Sequence, residues 1–237
     1  MNLNNHFHPP LSVRRHWHSF FHAWATFLAA DLNTRLPKGY FAEPNVQFGI
    51  DIDVAAFEEA GVAATVTLES APVWNPPPPT LTIPMPVVTD VVEVLLYDST
   101  AGPVLAGAIE LVSPANKDRE EHREAFVSKC ETYLTQGVGL VVADVVTERT
   151  ANLHALLLAR FNGGSDQTPQ YKLYAAAYRP ALGNEQSNLA VWYEPLEVGK
   201  PLPIMPLWVR GLGGLPVMLG QTYERTCQEL RLDDVVS

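Results

Sequence analysis

Two nearly continuous apolar runs, PVLAGAIELVS over residues 103–113 and VGLVVADVV over 138–146, stand on either side of a charged stretch. Apolar runs without alternation read as strands buried on both faces, so a chain carrying two of them must cover a sheet from both sides. The stretch between, Asp118 to Gln136, reads as a charged helix with Ala125, Phe126, Cys130, Tyr133 and Leu134 toward the core, ended by Gly137. Upstream, VVTDVVEVLLYD (87–98) is separated from the first run by Ser99-Thr100-Ala101-Gly102, the layout of two strands joined by a tight turn. The expected order is hairpin, helix, strand.

The flanking segments fit one α/β domain over 1–237 with an elaborated sheet. From Trp17 to Leu36, Phe20, Phe21, Trp24, Phe27, Leu28 and Leu32 recur at spacings of three and four, predicting an amphipathic helix that Pro37 and Gly39 terminate. Tyr40 to Phe57 alternates apolar and polar residues and reads as one or two strands, with Pro44 marking an edge or a start. Residues 71–86, APVWNPPPPTLTIPMP, hold too many prolines for helix or central strand and read as an ordered loop. FNGGSDQT (161–168) reads as a loop, YKLYAAAYRP and LAVWYEPL as a hairpin around Leu182-Gly183-Asn184, and the tail as a last helix carrying Leu219, Tyr223, Cys227 and Leu230. Residues 1–16 read as a surface arm, and no internal repeat interrupts this plan.

Charge and cysteine content narrow the functions. Sixteen Lys and Arg against 26 Asp and Glu give a net charge of −10, which repels nucleic acid at long range unless a local basic strip opposes it. Cys130 and Cys227 are too few for a disulfide framework or a cysteine zinc site and read as reduced core residues. No stretch approaches the ~18 consecutive apolar residues of a membrane span. The first residues lack the apolar core and cleavage site of a secretion signal. A soluble, cytoplasmic protein without a membrane partner is the expectation.

Phosphate-binding glycine loops, GxGxxG, HExxH, GxSxG and CxxC patterns are all absent. What remains is Glu110-Leu-Val-Ser113-Pro114-Ala-Asn116-Lys117, where a carboxylate ends a very apolar strand. Burying that charge is costly unless a cation, metal or donor meets it. Lys129 and Tyr133, four apart on the following helix, share a face and could reach back toward it. A carboxylate pair with a lysine is a hard-cation site of the Mg²⁺ type. Its second acid would come from an earlier strand, Asp53 first, with Asp51, Asp90 and Glu93 as substitutes. By spacing alone, a buried Glu110–Lys129 ion pair with Asp53 ending a strand in solvent is the favoured reading. Ser113 and Asn116 read as caps of the following helix, or as groups ordering water around a metal. Lys117, Arg119 and Arg123 are a weak nucleic-acid contact surface, and the interleaved Asp118, Glu120, Glu121 and Glu124 favour a solvated helix face instead.

The run AIELVSPANK (108–117), continued by KCETYLTQGVGLVVAD (129–144), resembles domain-of-unknown-function family 4058, an uncharacterised family with an I-E-V-L-S-P-A-N-K core, a lysine-bearing helix and an apolar strand. HSFFHAWATFLAADLNTRLPKGYFAE, KPLPIMPLWV and QTYERTCQELRLDD extend the similarity along nearly the whole chain, and His22 matches a histidine of the family pattern. The family's N-terminal Phe-Pro-Gly-Met-Asp-Pro stretch is replaced by HFHPPLSVRRHW. The same core is similar to the Uma-two endonuclease-like branch of the PD-(D/E)XK nuclease superfamily. That resemblance implies a restriction-endonuclease-like core of helix, three strands, helix and strand, within a mixed sheet. It implies a Mg- or Mn-dependent phosphodiesterase with Asp53 and Glu110 as metal ligands, Lys129 as the water-orienting group and Tyr133 as its support. Homodimers are common in that superfamily. Val112 stands where the superfamily lysine usually lies, and Ile52 precedes Asp53 in place of proline.

Two functions therefore compete: a metal-dependent nuclease, and a catalytically inactive nuclease-like fold that binds a protein partner. The first predicts that a second acid converges on Glu110 in a concave, partly open pocket; the second predicts that none does.

Overall fold

The computed structural model describes residues 1–47, 51–58, 74–85, 103–161, 171–181, 183 and 187–232. It is an α/β fold in which a mixed sheet of seven strands meets six helices and a separate two-stranded hairpin. The strands of the sheet are β1 (Tyr40–Gln47), β2 (Asp51–Glu58), β3 (Leu81–Met85), β4 (Val104–Leu111), β5 (Gly139–Asp144), β6 (Tyr174–Ala181) and β7 (Ser187–Pro195), in the spatial order β1-β2-β4-β5-β6-β7-β3. Only β4 and β5 run parallel; every other neighbouring pair is antiparallel. A parallel pair needs a crossover. Here α3 (Pro114–Asp118) and α4 (Glu120–Thr135) supply it. β5 is buried at every position, as an apolar run inside a covered sheet requires.

The first long helix, α2 (Trp17–Asn33), follows a short turn of helix, α1 (Leu11–Arg14), and packs along β1. Its exit is locked by Asn33, whose side chain donates to the Ala42 carbonyl at 2.9 Å and accepts from the Ala42 amide at 2.7 Å. Trp24, fully buried, donates its indole N–H to Thr222 on the last helix, α6 (Leu219–Glu229), at 3.0 Å. The hairpin of β8 (Ile204–Val209) and β9 (Gly213–Met218) packs on the sheet where Gly107 and Gly139 face each other in register. A Cβ on Gly139 would lie 2.1 Å from the Trp208 carbonyl oxygen, so glycine is what lets β8 approach. No helix among the described residues is long and apolar enough to cross a membrane.

Several expectations need correction. The charged helix expected over Asp118–Gln136 is α4, which Arg119, extended at φ of −106° and ψ of 157°, separates from an unanticipated short helix, α3. α3 starts where Ser113 and Asn116 form a capping box and Pro114 occupies the first helical position. Ala125 is exposed, whereas Phe126, Cys130, Tyr133 and Leu134 are buried. The arm over 87–98 and its turn lie outside the described residues, and both edges of β4 are taken by β2 and β5. The proline-rich stretch is partly strand, because Leu81–Met85 pairs with β7 at the end of the sheet, where Pro84 is tolerated opposite Asn188. Nor is the N-terminus a surface arm. Leu3, His6, Phe7 and Leu11 are buried, and the Leu3 amide donates to the Lys200 carbonyl at 2.8 Å. The hairpin β8–β9 and the helix α5 (Leu153–Arg160) were not anticipated. Leu182, Asn184 and most of the 161–168 loop lie outside the described residues, while β6 and β7 pair as the expected hairpin.

Candidate functional site

Strand pairing brings the two principal acids together. Val54 of β2 faces Ile109 of β4, so Asp53, one step further, comes across from Glu110. Alternation then turns Glu110 to the face opposite Gly107, the face that α4 covers. Lys129 and Tyr133, one helical turn apart, both reach it: the Lys129 ammonium donates to Glu110 Oε2 at 2.7 Å, and the Tyr133 hydroxyl donates to Oε1 at 3.3 Å. The Leu111 amide donates to Asp53 Oδ2 at 2.7 Å, and Asp53 also hydrogen-bonds Glu110. The Glu110 and Tyr133 side chains are buried, and Lys129 keeps 16% of its side-chain surface in solvent. Asp53 is partly exposed, so the cluster opens on the side of Asp53 and Lys129.

Burial governs its electrostatics. Desolvation pushes the Glu110 carboxyl up to about 8, with Lys129 pulling it down and the Asp53 charge adding to the rise. Asp53 is also raised by burial, against the Leu111 amide and the positive charges of Lys129 and His22. Burial opposes the charge on Lys129, but the Glu110 and Asp53 carboxylates prevail and raise it. The two acids therefore titrate as a coupled pair, holding a proton near neutral pH beside a charged lysine. The Tyr133 hydroxyl is raised far above its ordinary value by burial and by Glu110, so it acts as a donor only.

His22 is exposed on α2 rather than packed in the core, and its charge is felt at Asp53. Asp51 lies at the start of β2, whereas Asp90 and Glu93 lie outside the described residues. Ser113 and Asn116 bond each other, with the Ser113 amide and hydroxyl both 2.8 Å from Asn116 Oδ1; their work is to turn the chain into α3. Lys117, Arg119 and Arg123 do not form one basic surface. Lys117 is only 2% exposed, its ammonium donating to Asp144 at 2.7 Å. Arg119 sits 3.9 Å from Asp118, and Arg123 bonds the Lys117 and Asp118 carbonyls.

The Lys117–Asp144 pair itself was missed, although Asp144 ends an apolar strand just as Glu110 does. Burial raises Asp144 to about 6 despite the Lys117 charge, and the Val146 amide bonds its second oxygen. Across the β5–β6 register from Asp144 sits the fully buried Tyr174. Beyond it, His154 of α5 bonds the Tyr178 hydroxyl at 2.6 Å, completing a polar row under α4 and α5.

A hard divalent cation prefers oxygen donors and tolerates a site of only two carboxylates if water or phosphate completes its shell. Asp53 and Glu110 fit that minimal set: burial opposes the ionisation of both carboxyls, a cost that a bound cation would offset. Among the described residues no group of three His, Cys, Asp or Glu side chains gathers to hold a metal more fully. No family model matches the chain, and comparisons with curated proteins and with solved structures return no match either.

Proposed function

We propose that the chain is a metal-dependent phosphodiester hydrolase of the PD-(D/E)XK nuclease type, acting on nucleic acid. The observation that carries this reading is the convergence of Asp53, Glu110 and Lys129 from β2, β4 and α4 on one partly open cluster. The order α2, β1, β2, β4, α4, β5, with β4 parallel to β5, supports it as the arrangement of helix, three strands, helix and strand that such a core requires.

In this reading Asp53 and Glu110 would hold Mg²⁺ or Mn²⁺, which when bound supplies Lewis acidity and an activated water. The protein's own groups do the rest. The Leu111 amide aims Asp53, and the Tyr133 hydroxyl fixes one oxygen of Glu110. Lys129, held in the opening by Glu110, is placed to orient a water or to meet the charge that develops on a phosphoryl oxygen. The ammonium is thus supplied from α4, whereas the position two residues after Glu110 holds Val112.

Calorimetry with Mn²⁺ on the wild type and on Glu110→Ala, followed by plasmid and single-strand cleavage, tests the proposal. Binding lost in the variant together with metal-dependent cleavage by the wild type is the expected result. A wild type that binds no Mn²⁺ and cuts neither substrate overturns it in favour of an inactive, partner-binding fold, in which the 2.7 Å Lys129–Glu110 pair is structural.

A further inference from the structure

A cavity of about 420 Å³ opens between the start of β5, the end of β6 and the β8–β9 turn, with Gly137, Arg179, Trp208, Arg210, Gly211 and Gly213 in its wall. It is separate from the acidic cluster. Gly139, at its floor, pairs with Gly107, three residues before Glu110 and on the opposite side of β4, or about 10 Å along the strand.

Arg179 and Arg210 both line this cavity, and neither forms an ion pair with a carboxylate among the described residues, so two such charges share one opening. In a chain of net charge −10, that concentration of unneutralised charge asks for an anion. Arg179 lies over the Trp208 ring at 4.6 Å, and Trp208 stacks in turn on Trp192 at 4.9 Å. The stack fixes the guanidinium plane while leaving its N–H groups to solvent. Arg210 is anchored by its backbone amide to the Ala106 carbonyl and by one terminal nitrogen to the Gln136 carbonyl, which orders the rest of its fork. The nearby Glu58 carboxylate is engaged by the Tyr40 hydroxyl. Gly213, at φ of 109°, has nothing within 4 Å of where a Cβ would stand, so a ligand can come close to bare backbone there.

We infer that this cavity binds a phosphate group, with Arg179 and Arg210 as its charge-assisted hydrogen-bond donors. Planar guanidiniums, each already ordered, match the oxygens of a phosphate better than any neutral ligand. The phosphate can belong to a small phosphate ester or to a nucleic-acid backbone, and the test separates the two.

Pyrophosphate and a labelled single-stranded oligonucleotide of about 12 nucleotides are titrated into the full chain at low salt with EDTA present, read by tryptophan fluorescence and anisotropy. Binding that weakens by about tenfold or more in Arg179→Ala and in Arg210→Gln is the expected result. Arg225→Ala, an arginine stacked on Phe27 elsewhere, should bind as the wild type does. Glu110→Gln should also bind normally, so this site stands or falls apart from the nuclease reading. Pyrophosphate binding alone assigns a small ester; oligonucleotide binding that steepens with falling salt and yields to pyrophosphate assigns a backbone. A wild type that binds neither at millimolar concentration overturns the inference, as does an Arg179→Ala variant with native circular dichroism and wild-type affinity. Arg179 is exposed, so that variant decides even if Arg210→Gln disturbs the end of α4.

Discussion

Lys129 Nζ lies 2.7 Å from Glu110 Oε2, an ion pair in which the glutamate side chain is buried while the lysine side chain keeps part of its surface in solvent. The asymmetry matters because the acid pays most of the desolvation, and its carboxyl rises to about 8 as a result. A group that binds protons more tightly when folded stabilises the fold at low pH and loses that contribution as pH climbs from the unfolded value toward the folded one. Glu110 thus makes stability fall as pH rises from about 4.5 to about 8. The histidines His6 and His154, lowered to about 4 by burial, act in the opposite sense between about 4 and 6.5. The difference between wild type and Glu110→Gln isolates the acid: urea midpoints measured from pH 5 to 8 should decline more steeply for the wild type. Parallel curves for the two proteins would sink the assignment.

The Lys117–Asp144 pair makes a sharper thermodynamic prediction. Both side chains are fully buried, so removing one leaves an uncompensated group in the interior. Asp144→Ala should cost about 3–5 kcal/mol in denaturant unfolding, while Lys117→Met with Asp144→Leu should recover much of that loss. A double variant no more stable than the single one would show that hydrogen bonds in the turn, not the pair, carry the energy.

How much of this was visible beforehand depended on how local each signal was. Glu110 could be named because it is a carboxylate in a very apolar run, and Asp53 as the acid an earlier strand would supply; strand pairing then brought them across from one another. The helix α2 and the β6–β7 hairpin rest on periodicity and on neighbours in the chain, and both were legible. Lys117 was misread because its partner lies 27 residues away, while its immediate neighbours are charged and suggest solvent. The pairing of β4 with β2 was hidden for the same reason: a tight turn at 99–102 is a local signal, whereas Val54 opposite Ile109 is not. The buried N-terminus did leave a trace, since Leu3, Phe7 and Leu11 recur every four residues, but the polar residues between them outweighed it. Helix α5 also had a start signal in Asn152, whose side chain accepts from the Ala155 amide.

Tyr223 ties that N-terminus down. Its hydroxyl accepts from the Asn4 amide at 2.8 Å and bonds the His6 ring at 2.7 Å. Tyr223→Phe leaves both without this partner and should cost about 1–3 kcal/mol. Amide hydrogen exchange at Leu3 and Asn4 should rise well before exchange in β4 or β5; unchanged protection at Asn4 would refute the anchoring role.

Gly139→Ala tests the closeness of the β8 contact. The added methyl meets the Trp208 backbone 2.1 Å away, and a backbone cannot rotate aside as a side chain can. Loss of about 1–3 kcal/mol or more is expected, with altered tryptophan fluorescence from Trp208. A variant as stable as the wild type, with an unchanged spectrum, would mean that the hairpin yields freely.

Among the described residues the sheet ends at β1 on one side and β3 on the other, and each of these outer strands contains a proline, Pro44 and Pro84. A proline interrupts the row of donors that a stranger's strand would need to zip onto. Strand addition at β1 and β3, a hazard for any sheet whose interior strands are as apolar as β4 and β5, is thereby disfavoured. Self-association, where it occurs, is steered away from the sheet's rims and toward its helical and hairpin surfaces.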